Sequence, residues 1–155
     1  MTRGVQETPG NYVAIKHFAA NNQEGNRYHV SSELDERTLR EIYLQGFEIV
    51  VREAAPRAVM SAYNKINGVY CANNRALCTD ILRGEWGFDG IVMTDWLSTG
   101  KDRADEAGCL NAGVDLIMPG GRKVVKTLRK AHEDGRLTDE ILRQSCGRVL
   151  EEILD

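Results

Sequence analysis

The chain has 155 residues, of which 42% are hydrophobic, enough for one globular core and too few for two. It carries 20 basic and 23 acidic residues and a net charge of -3, so no charge excess favours nucleic acid or an anionic membrane as a partner. Neutral substrates fit this balance better.

Cysteine usage and hydropathy narrow the class of protein further. The four cysteines show no C-x-x-C pair and no Cys/His spacing typical of zinc, which favours buried reduced thiols over disulfides or a metal site. The first residues lack the apolar run of a secretion signal, and nowhere do about 18 apolar residues follow one another. We therefore expect a soluble chain with no membrane contact and favour a cytoplasmic location.

Four short apolar runs, each bounded by turn residues, have the pattern of buried strands in a parallel sheet. They lie near residues 13–16, 58–62, 90–94 and 114–118. Polar residues and then a helical pattern follow each run. The chain is therefore predicted to repeat a strand-loop-helix unit four times.

The predicted helices follow from periodicity and capping residues. Apolar residues recur at helical spacing from Leu39 to Ala54, and Ser32 three residues before Asp35 predicts a capping box. Residues 64–68 are predicted as a loop because they are rich in turn formers. Further helices are predicted over residues 75–83 and 102–111, between Gly121 and Asp134, and near 138–154 after the cap Thr138.

Repeated units with right-handed crossovers form either a doubly wound sheet or an arc of a (β/α)8 barrel. No G-x-G-x-x-G follows the first strand, which disfavours a dinucleotide-binding sheet. A complete barrel needs about 250 residues. The predicted fold class is therefore α/β, with four consecutive β/α units forming half of a TIM (β/α)8 barrel and a C-terminal helix, in a single partial domain over residues 1–155.

The functional site of such a fold is expected where the carboxyl ends of the parallel strands converge. The residues at or just past these ends are Lys16, His17, Tyr63, Asn64, Asp95, Trp96 and Asp115. A carboxylate, a lysine and aromatic side chains together suit an uncharged ligand with several hydroxyl groups, such as a sugar. Schiff-base chemistry at Lys16 remains an alternative on these residues alone.

Four ordered segments carry a resemblance to a known family. They are Lys16 to Glu24, Asp35 to Tyr43, Ala58 to Gly68, and Gly87 to Trp96, which ends in Met-Thr-Asp-Trp. Together they resemble glycoside hydrolase family 3, the β-glucosidase and β-xylosidase group, in the C-terminal half of its barrel domain. The match runs from about Gly4 to Gly120.

The resemblance implies a retaining β-glucosidase that removes terminal non-reducing β-linked glucose. Asp95 occupies the position of the nucleophile in the family's Ser-Asp-Trp or Thr-Asp-Trp turn, and it would form a covalent glycosyl-enzyme. Lys16, His17 and Arg27 would donate hydrogen bonds to the sugar hydroxyls, Met60 and Tyr63 would line the same subsite, and Trp96 would form an apolar wall. No metal or organic cofactor is implied.

One required group has no counterpart in the sequence. A retaining enzyme needs a second carboxyl group about 5 to 5.5 Å from the first as acid and base. The family carries that residue outside the matched segment, and the resemblance gives Glu24 a structural role. The hexosaminidase branch carries its acid-base function on a barrel loop, with a Pro-Gly-His-Gly-Asp sequence after the Lys-His-Phe. This chain has Ala19 to Gln23 there instead, which disfavours that branch.

Several alternatives follow from this gap. The chain could be a non-catalytic sugar-binding or assembly fragment, or it could have β-xylosidase or β-N-acetylhexosaminidase specificity. Because four strands cannot close a barrel, we expect a homodimer or a complementing barrel half as partner, beside the β-glucoside or oligosaccharide substrate. Structural explanations also compete for single residues: Asp95 as a helix cap, Met60 as strand core and Asp115 as a backbone anchor.

Overall fold

The structure, a computed structural model, describes residues 1–154 and has a mixed α/β fold with two small sheets. The strands are β1 (Ala14–Phe18), β2 (Ser31–Ser32), β3 (Ala58–Ser61), β4 (Lys65–Ile66), β5 (Val69–Tyr70) and β6 (Ile91–Met93). The α-helices are α1 (Thr2–Gln6), α2 (Glu36–Thr38), α3 (Gln45–Ala54), α4 (Glu106–Asn111), α5 (Arg122–Glu133) and α6 (Asp139–Leu154). Two π-helical segments, Leu39–Leu44 and Ala76–Glu85, and a 3-10 turn, Cys71–Asn73, complete the fold.

The main sheet is parallel, with the strand order β1-β3-β6. Its strands coincide with the first three predicted runs, and helices separate them along the chain, which confirms the predicted α/β class. Val59 and Val92 lie opposite each other on β3 and β6 and are fully buried in the main core. The same core holds Phe18, whose ring packs edge-on against Phe47 at 5.0 Å and Trp86 at 5.9 Å between centroids.

The fourth predicted strand, over residues 114–118, is reduced to one parallel bridge between Met93 and Leu116. Leu116 N–H donates to Val92 O at 3.2 Å, and Leu116 O accepts from Thr94 N–H at 2.9 Å. The ladder stops there because Val92 N–H donates to the Asp115 carboxylate at 2.8 Å rather than to a backbone carbonyl. The segment therefore lies beside β6 without forming a regular strand.

The first long helical run differs from its prediction at the cap. α2, the π-helical segment and α3 continue from Glu36 to Ala54, close to the predicted span. The cap is Asp35, whose Oδ1 accepts from Thr38 N–H at 2.7 Å, so the prediction of Ser32 as the cap is wrong. Ser32 instead belongs to β2, and its hydroxyl donates to Ala20 O at 2.9 Å.

The second sheet contains a hairpin where a loop was predicted. β4 and β5 pair antiparallel across Asn67 and Gly68, both at positive φ, and β2 pairs parallel with β4. Two consecutive residues at positive φ are typical of the tight turn that Asn-Gly favours. The hairpin therefore holds the segment after β3 against the loop after β1.

The C-terminal helices pack around a smaller apolar cluster beside the main core. Its buried members are Ala107, Leu110, Ile117, Ala131 and Leu137. α6 begins after Thr138 as predicted, because Thr138 Oγ1 accepts from Ile141 N–H at 3.3 Å. No helix within residues 1–154 is long and apolar enough to cross a membrane.

One face of the main sheet, which we call the open face, is less covered than the other among the described residues. Alternation along the strands puts Val59 and Val92 on the helix-covered face and the paired Met60 and Met93 on the other. Both methionines are only half-buried. Because β1 is an edge strand as well, the sheet presents an open face and an open edge.

Candidate functional site

Asp95 lies two residues past β6, at the carboxyl end of the main sheet. Its side chain is buried, with 6% of the residue exposed, and Oδ1 accepts from Trp96 N–H at 2.7 Å. Oδ2 is buried and makes no hydrogen bond within residues 1–154. No helix starts here, because α4 begins later with Asp105 as its cap. Asp95 is therefore not a helix cap.

His17 is the charged or polar side chain that faces the unbonded oxygen. Its Nε2 lies 3.3 Å from Asp95 Oδ2, and its side chain is 35% exposed. The pairing of β1 with β3 shifts register between Ile15 and Phe18, the stretch that contains His17. Such irregularities bend a strand and redirect a side chain. The strand-end rule thus correctly predicted that these two residues meet.

Tyr63 joins the site from the loop after β3. Its hydroxyl donates to Trp96 O at 2.8 Å, so it holds the residue that follows the nucleophile candidate. Burial raises the pKa of Tyr63 well above its usual range, and the negative charge of Asp95 raises it further. Tyr63 is therefore a neutral hydrogen-bond donor at neutral pH.

Arg27 reaches the same place from the loop after β1. Its guanidinium carbon lies 4.4 Å from the centre of the Tyr63 ring, a cation-π distance. Arg27 Nη1 also pairs with Glu24 Oε2 at 2.8 Å, and the Glu24 side chain is 82% exposed. The structure thus brings Arg27 to Tyr63 and leaves Glu24 in solvent.

The remaining predicted site residues are less closely joined to Asp95. Trp96 follows it and is 53% exposed, as an indole at the rim of a site would be. Met60 lies on the open face of the sheet. Lys16 is exposed and lines a groove beside α3 rather than contacting Asp95.

Further residues lie around the site, and of these the sequence pattern singled out only Asn64. Ser98 Oγ donates to Asp95 O at 2.9 Å, and Asn64, fully buried, donates from Nδ2 to Ala19 O and Ala20 O at 3.2 Å. Tyr28 packs edge-on against Tyr63 at 4.6 Å, with the Arg103 guanidinium 4.2 Å from its ring centre. Apart from Asn64 at a strand end, no spacing signal marked them.

Asp115 lies apart from this site and is an anchor, as expected. Both its oxygens accept hydrogen bonds, from Arg148 Nε at 2.7 Å, Arg83 Nη2 at 2.7 Å and Val92 N–H at 2.8 Å. A group of three or more His, Cys, Asp or Glu side chains able to hold a metal ion is absent from residues 1–154.

Comparison with known proteins identifies the family of the chain. The family model of the glycosyl hydrolase family 3 N-terminal domain matches residues 1–151. The chain belongs to glycosyl hydrolase family 3. This family 3 chain is 47% identical over 152 residues to a β-glucosidase of Rhizobium radiobacter, across 95% of the chain and 18% of that protein. The resemblance inferred from the Met-Thr-Asp-Trp turn and its companion segments is thereby confirmed.

Two further relatives of this family 3 chain bear on specificity and shape. An exo-α-(1→6)-L-arabinopyranosidase of Bifidobacterium longum is 51% identical over 119 residues, 77% of the chain and 15% of that protein. The structure of β-glucosidase 3B from Thermotoga neapolitana in complex with glucose superposes with a TM-score of 0.92 at 44% identity, covering 99% of the chain and 22% of that protein. The chain spans about a fifth of the length of such relatives.

Proposed function

We propose that this chain carries the nucleophile and part of the sugar subsite of a retaining β-glucosidase that releases terminal non-reducing β-linked glucose. The observation that carries the proposal is the Asp95 carboxylate, which is fixed through Oδ1 and has a buried, unbonded Oδ2 beside His17. A free lone pair on a positioned carboxylate is what attack on an anomeric carbon requires. The β-glucosidase names of the relatives support the substrate class.

The proposed reaction proceeds in two displacements. Asp95 Oδ2 attacks the anomeric carbon, the glycosidic C–O bond breaks, and the departing oxygen takes a proton from an acid. Water then gives its hydroxyl to the same carbon and a proton to the base, which frees Asp95 and retains the configuration. Tyr63 and the Trp96 N–H keep the carboxylate turn in place during both steps.

The sugar would be held by the side chains around Asp95. We assign hydroxyl contacts to His17 and Arg27 beside the site and, although it does not contact Asp95, to Lys16 from β1. Their N–H groups give charge-assisted hydrogen bonds when the side chains are protonated. Met60 and Tyr63 would line the subsite, and the exposed Trp96 would form its apolar wall. Glu24 is exposed and paired with Arg27, so the proposal assigns the acid and base role to a segment other than this chain.

Mechanism-based labelling tests the nucleophile directly. A 2-deoxy-2-fluoro-β-glucoside with a dinitrophenolate leaving group needs little acid catalysis and traps the glycosyl-enzyme. We expect the mass of one fluoroglucosyl group on the peptide that contains Asp95. Asp95→Asn should abolish labelling, whereas Asp89→Asn, an exposed aspartate six positions earlier, should leave it unchanged.

Two outcomes would overturn the assignment. Labelling on a residue other than Asp95, or full labelling of Asp95→Asn, excludes its nucleophilic role. If the wild-type chain shows neither a mass gain nor a burst of dinitrophenolate but still binds glucose in a titration, the chain is a non-catalytic sugar-binding fragment.

Sugar specificity needs its own comparison, because one relative is named as an arabinopyranosidase rather than a glucosidase. We expect the burst to be fastest with the β-glucoside among matched dinitrophenyl glycosides. β-Xyloside, N-acetyl-β-glucosaminide and α-L-arabinopyranoside donors are the controls. A faster burst with any of these would reassign the substrate while leaving Asp95 as nucleophile.

We also propose that a second copy of the chain, or a complementing barrel half, covers the open side of the main sheet. The edge strand β1 borders a groove of about 520 Å³ lined by apolar side chains including Ile15, Phe47 and Val50. Exposed apolar surface of this kind favours association. Light scattering should give the mass of a dimer, and a monomer would restrict the proposal to a complementing chain.

A further inference from the structure

The turn that follows Asp95 has an unusual set of hydrogen bonds. Three consecutive carbonyl oxygens each accept from a side chain. Asp95 O accepts from Ser98 Oγ at 2.9 Å, Trp96 O accepts from Tyr63 Oη at 2.8 Å, and Leu97 O accepts from Arg103 Nη1. The turn is therefore held by side chains from two other parts of the fold.

Leu97 needs such support. Its φ is +61°, in the left-handed region that side chains other than glycine, asparagine and aspartate rarely adopt. Its side chain is 59% exposed, so core packing does not hold it there. Its N–H donates to Met118 O at 3.0 Å, and its carbonyl is held by Arg103. Without Arg103, one of these two backbone restraints is lost.

Arg103 also connects the turn to the loop after β1. Its guanidinium lies 4.2 Å from the Tyr28 ring centre, Tyr28 packs against Tyr63, and the Arg27 guanidinium lies 4.4 Å from the Tyr63 ring centre. The segment of Arg103 is itself fixed, because Tyr70 Oη donates to Asp102 O at 2.9 Å. One side chain thus joins two loops that meet at Asp95.

We propose that Arg103 is a positioning residue for the nucleophile. It holds Leu97 in its left-handed conformation and thereby keeps the Trp96 N–H on Asp95 Oδ1, with Oδ2 directed toward His17. The inference rests on the proposed role of Asp95 as the attacking group. It extends that role to a residue whose guanidinium has no direct contact with the Asp95 carboxylate in the described structure.

Amide hydrogen exchange tests, without requiring activity, whether Arg103 holds the turn after Asp95. Arg103→Met keeps the length and apolar stem but loses the donor and the charge. We expect the Trp96, Leu97 and Ser98 amides to exchange at least about tenfold faster in this variant, as expected when local opening becomes easier. Arg129→Met, which removes an exposed arginine from α5, is the matched control and should leave these amides unchanged.

Labelling kinetics test the consequence for the nucleophile. With the 2-fluoro glucoside, Arg103→Met should lower the rate constant of labelling about tenfold at saturation, since small misplacements of a reacting group are costly. The concentration for half-saturation should stay near that of the wild type. Arg103→Lys, which keeps a donor for Leu97 O, should recover part of the loss.

The outcomes separate this inference from the proposed function. Absence of labelling in the wild-type chain contradicts the proposed function. The exchange comparison then tests only whether Arg103 holds the turn after Asp95. Unchanged exchange at residues 96–98 in Arg103→Met overturns the inference, whether or not the chain is labelled. Wild-type labelling together with an unchanged labelling rate in Arg103→Met also overturns it.

Discussion

Two buried aspartates, Asp95 and Asp115, lie on neighbouring segments and are surrounded in opposite ways. They are 6% and 8% exposed. Asp115 binds Arg83, Arg148 and the Val92 N–H, and both of its oxygens are engaged. Asp95 has one N–H on Oδ1 and an Oδ2 that makes no hydrogen bond among the described residues.

The difference separates a carboxylate whose oxygens are both bonded within the fold from one that keeps an unbonded oxygen, as the proposed nucleophile requires. A buried charge costs free energy unless it is paired, so a fully bonded aspartate contributes to the structure and an incompletely bonded one is tolerated at a functional site. Burial raises the pKa of Asp115 and lowers that of Arg83, and their close pairing opposes both effects.

Replacement of Asp115 is expected to change the stability of the fold most. Asp115→Asn should lower the free energy of unfolding by about 3 to 5 kcal/mol, because it leaves two partly buried arginines without their anion. Urea denaturation followed by circular dichroism measures the change. Asp89→Asn, at an exposed position, is the control and should stay within about 0.5 kcal/mol of the wild type. A decrease in the free energy of unfolding of less than about 1 kcal/mol in Asp115→Asn would contradict the role of Asp115 as an anchor.

The second prediction uses the cysteines as reporters of opening. Cys71, Cys78 and Cys109 are buried and Cys146 is exposed, and burial raises the pKa of Cys71 and of Cys78 to about 12. A thiol reagent should therefore modify only Cys146 quickly in the native chain. Cys78 is close enough to Asp115 for the charge of that carboxylate to affect its pKa. Asp115→Asn should therefore make Cys78 react faster with the reagent, and Asp95→Asn should not. Equal reaction rates of Cys78 in the two variants would contradict the different roles of the two aspartates.

The third prediction concerns alkaline pH. Burial raises the pKa of Tyr63, so the folded chain keeps its proton where the unfolded chain, with a pKa of about 10, loses it. Its contribution to stability is therefore complete below that pH and declines as pH rises toward the folded pKa. Ultraviolet titration of the phenolates should show that Tyr63→Phe removes a late-titrating group. Loss of a group near pH 10 instead would contradict the placement of Tyr63.

Replacement of Asp95 is expected to change the stability of the fold least. Asp95→Asn keeps an oxygen for the Trp96 N–H and removes a buried charge, so the free energy of unfolding should stay equal or rise by up to about 1 kcal/mol. The same urea experiment measures it, and Asp115→Asn is the comparison. A loss similar to that of Asp115→Asn would show that Asp95 also stabilises the fold.

The sequence predicted the parts of this site that depend on strand position. Parallel strands end at one edge, so Asp95, His17 and Tyr63 could be placed together without knowledge of side-chain contacts. The predicted fourth strand was shortened because the side chain of Asp115 takes a backbone donor that the ladder needs. The spacing of residues in the sequence cannot reveal a hydrogen bond between a side chain and the backbone.

Other features depend on contacts between loops, which have no period. The two-residue strands β4 and β5 are too short for a hydrophobic pattern, although the Asn67-Gly68 pair was a usable signal for a hairpin. Ser32 matched a capping pattern but pairs in the second sheet, and Asp35 caps instead. Arg103 and Tyr28 come from separate loops, so only the folded chain brings them to the turn after Asp95.

The exposure of Trp96 has a practical consequence. The chain has two tryptophans, and the other, Trp86, is buried against Phe18 in the main core. The long-wavelength part of the tryptophan emission therefore comes from Trp96, which is next to the nucleophile candidate. A sugar bound beside Asp95, as we propose, would shield that indole from water and shift its emission to shorter wavelength, so Trp96 fluorescence would report occupancy of the proposed site.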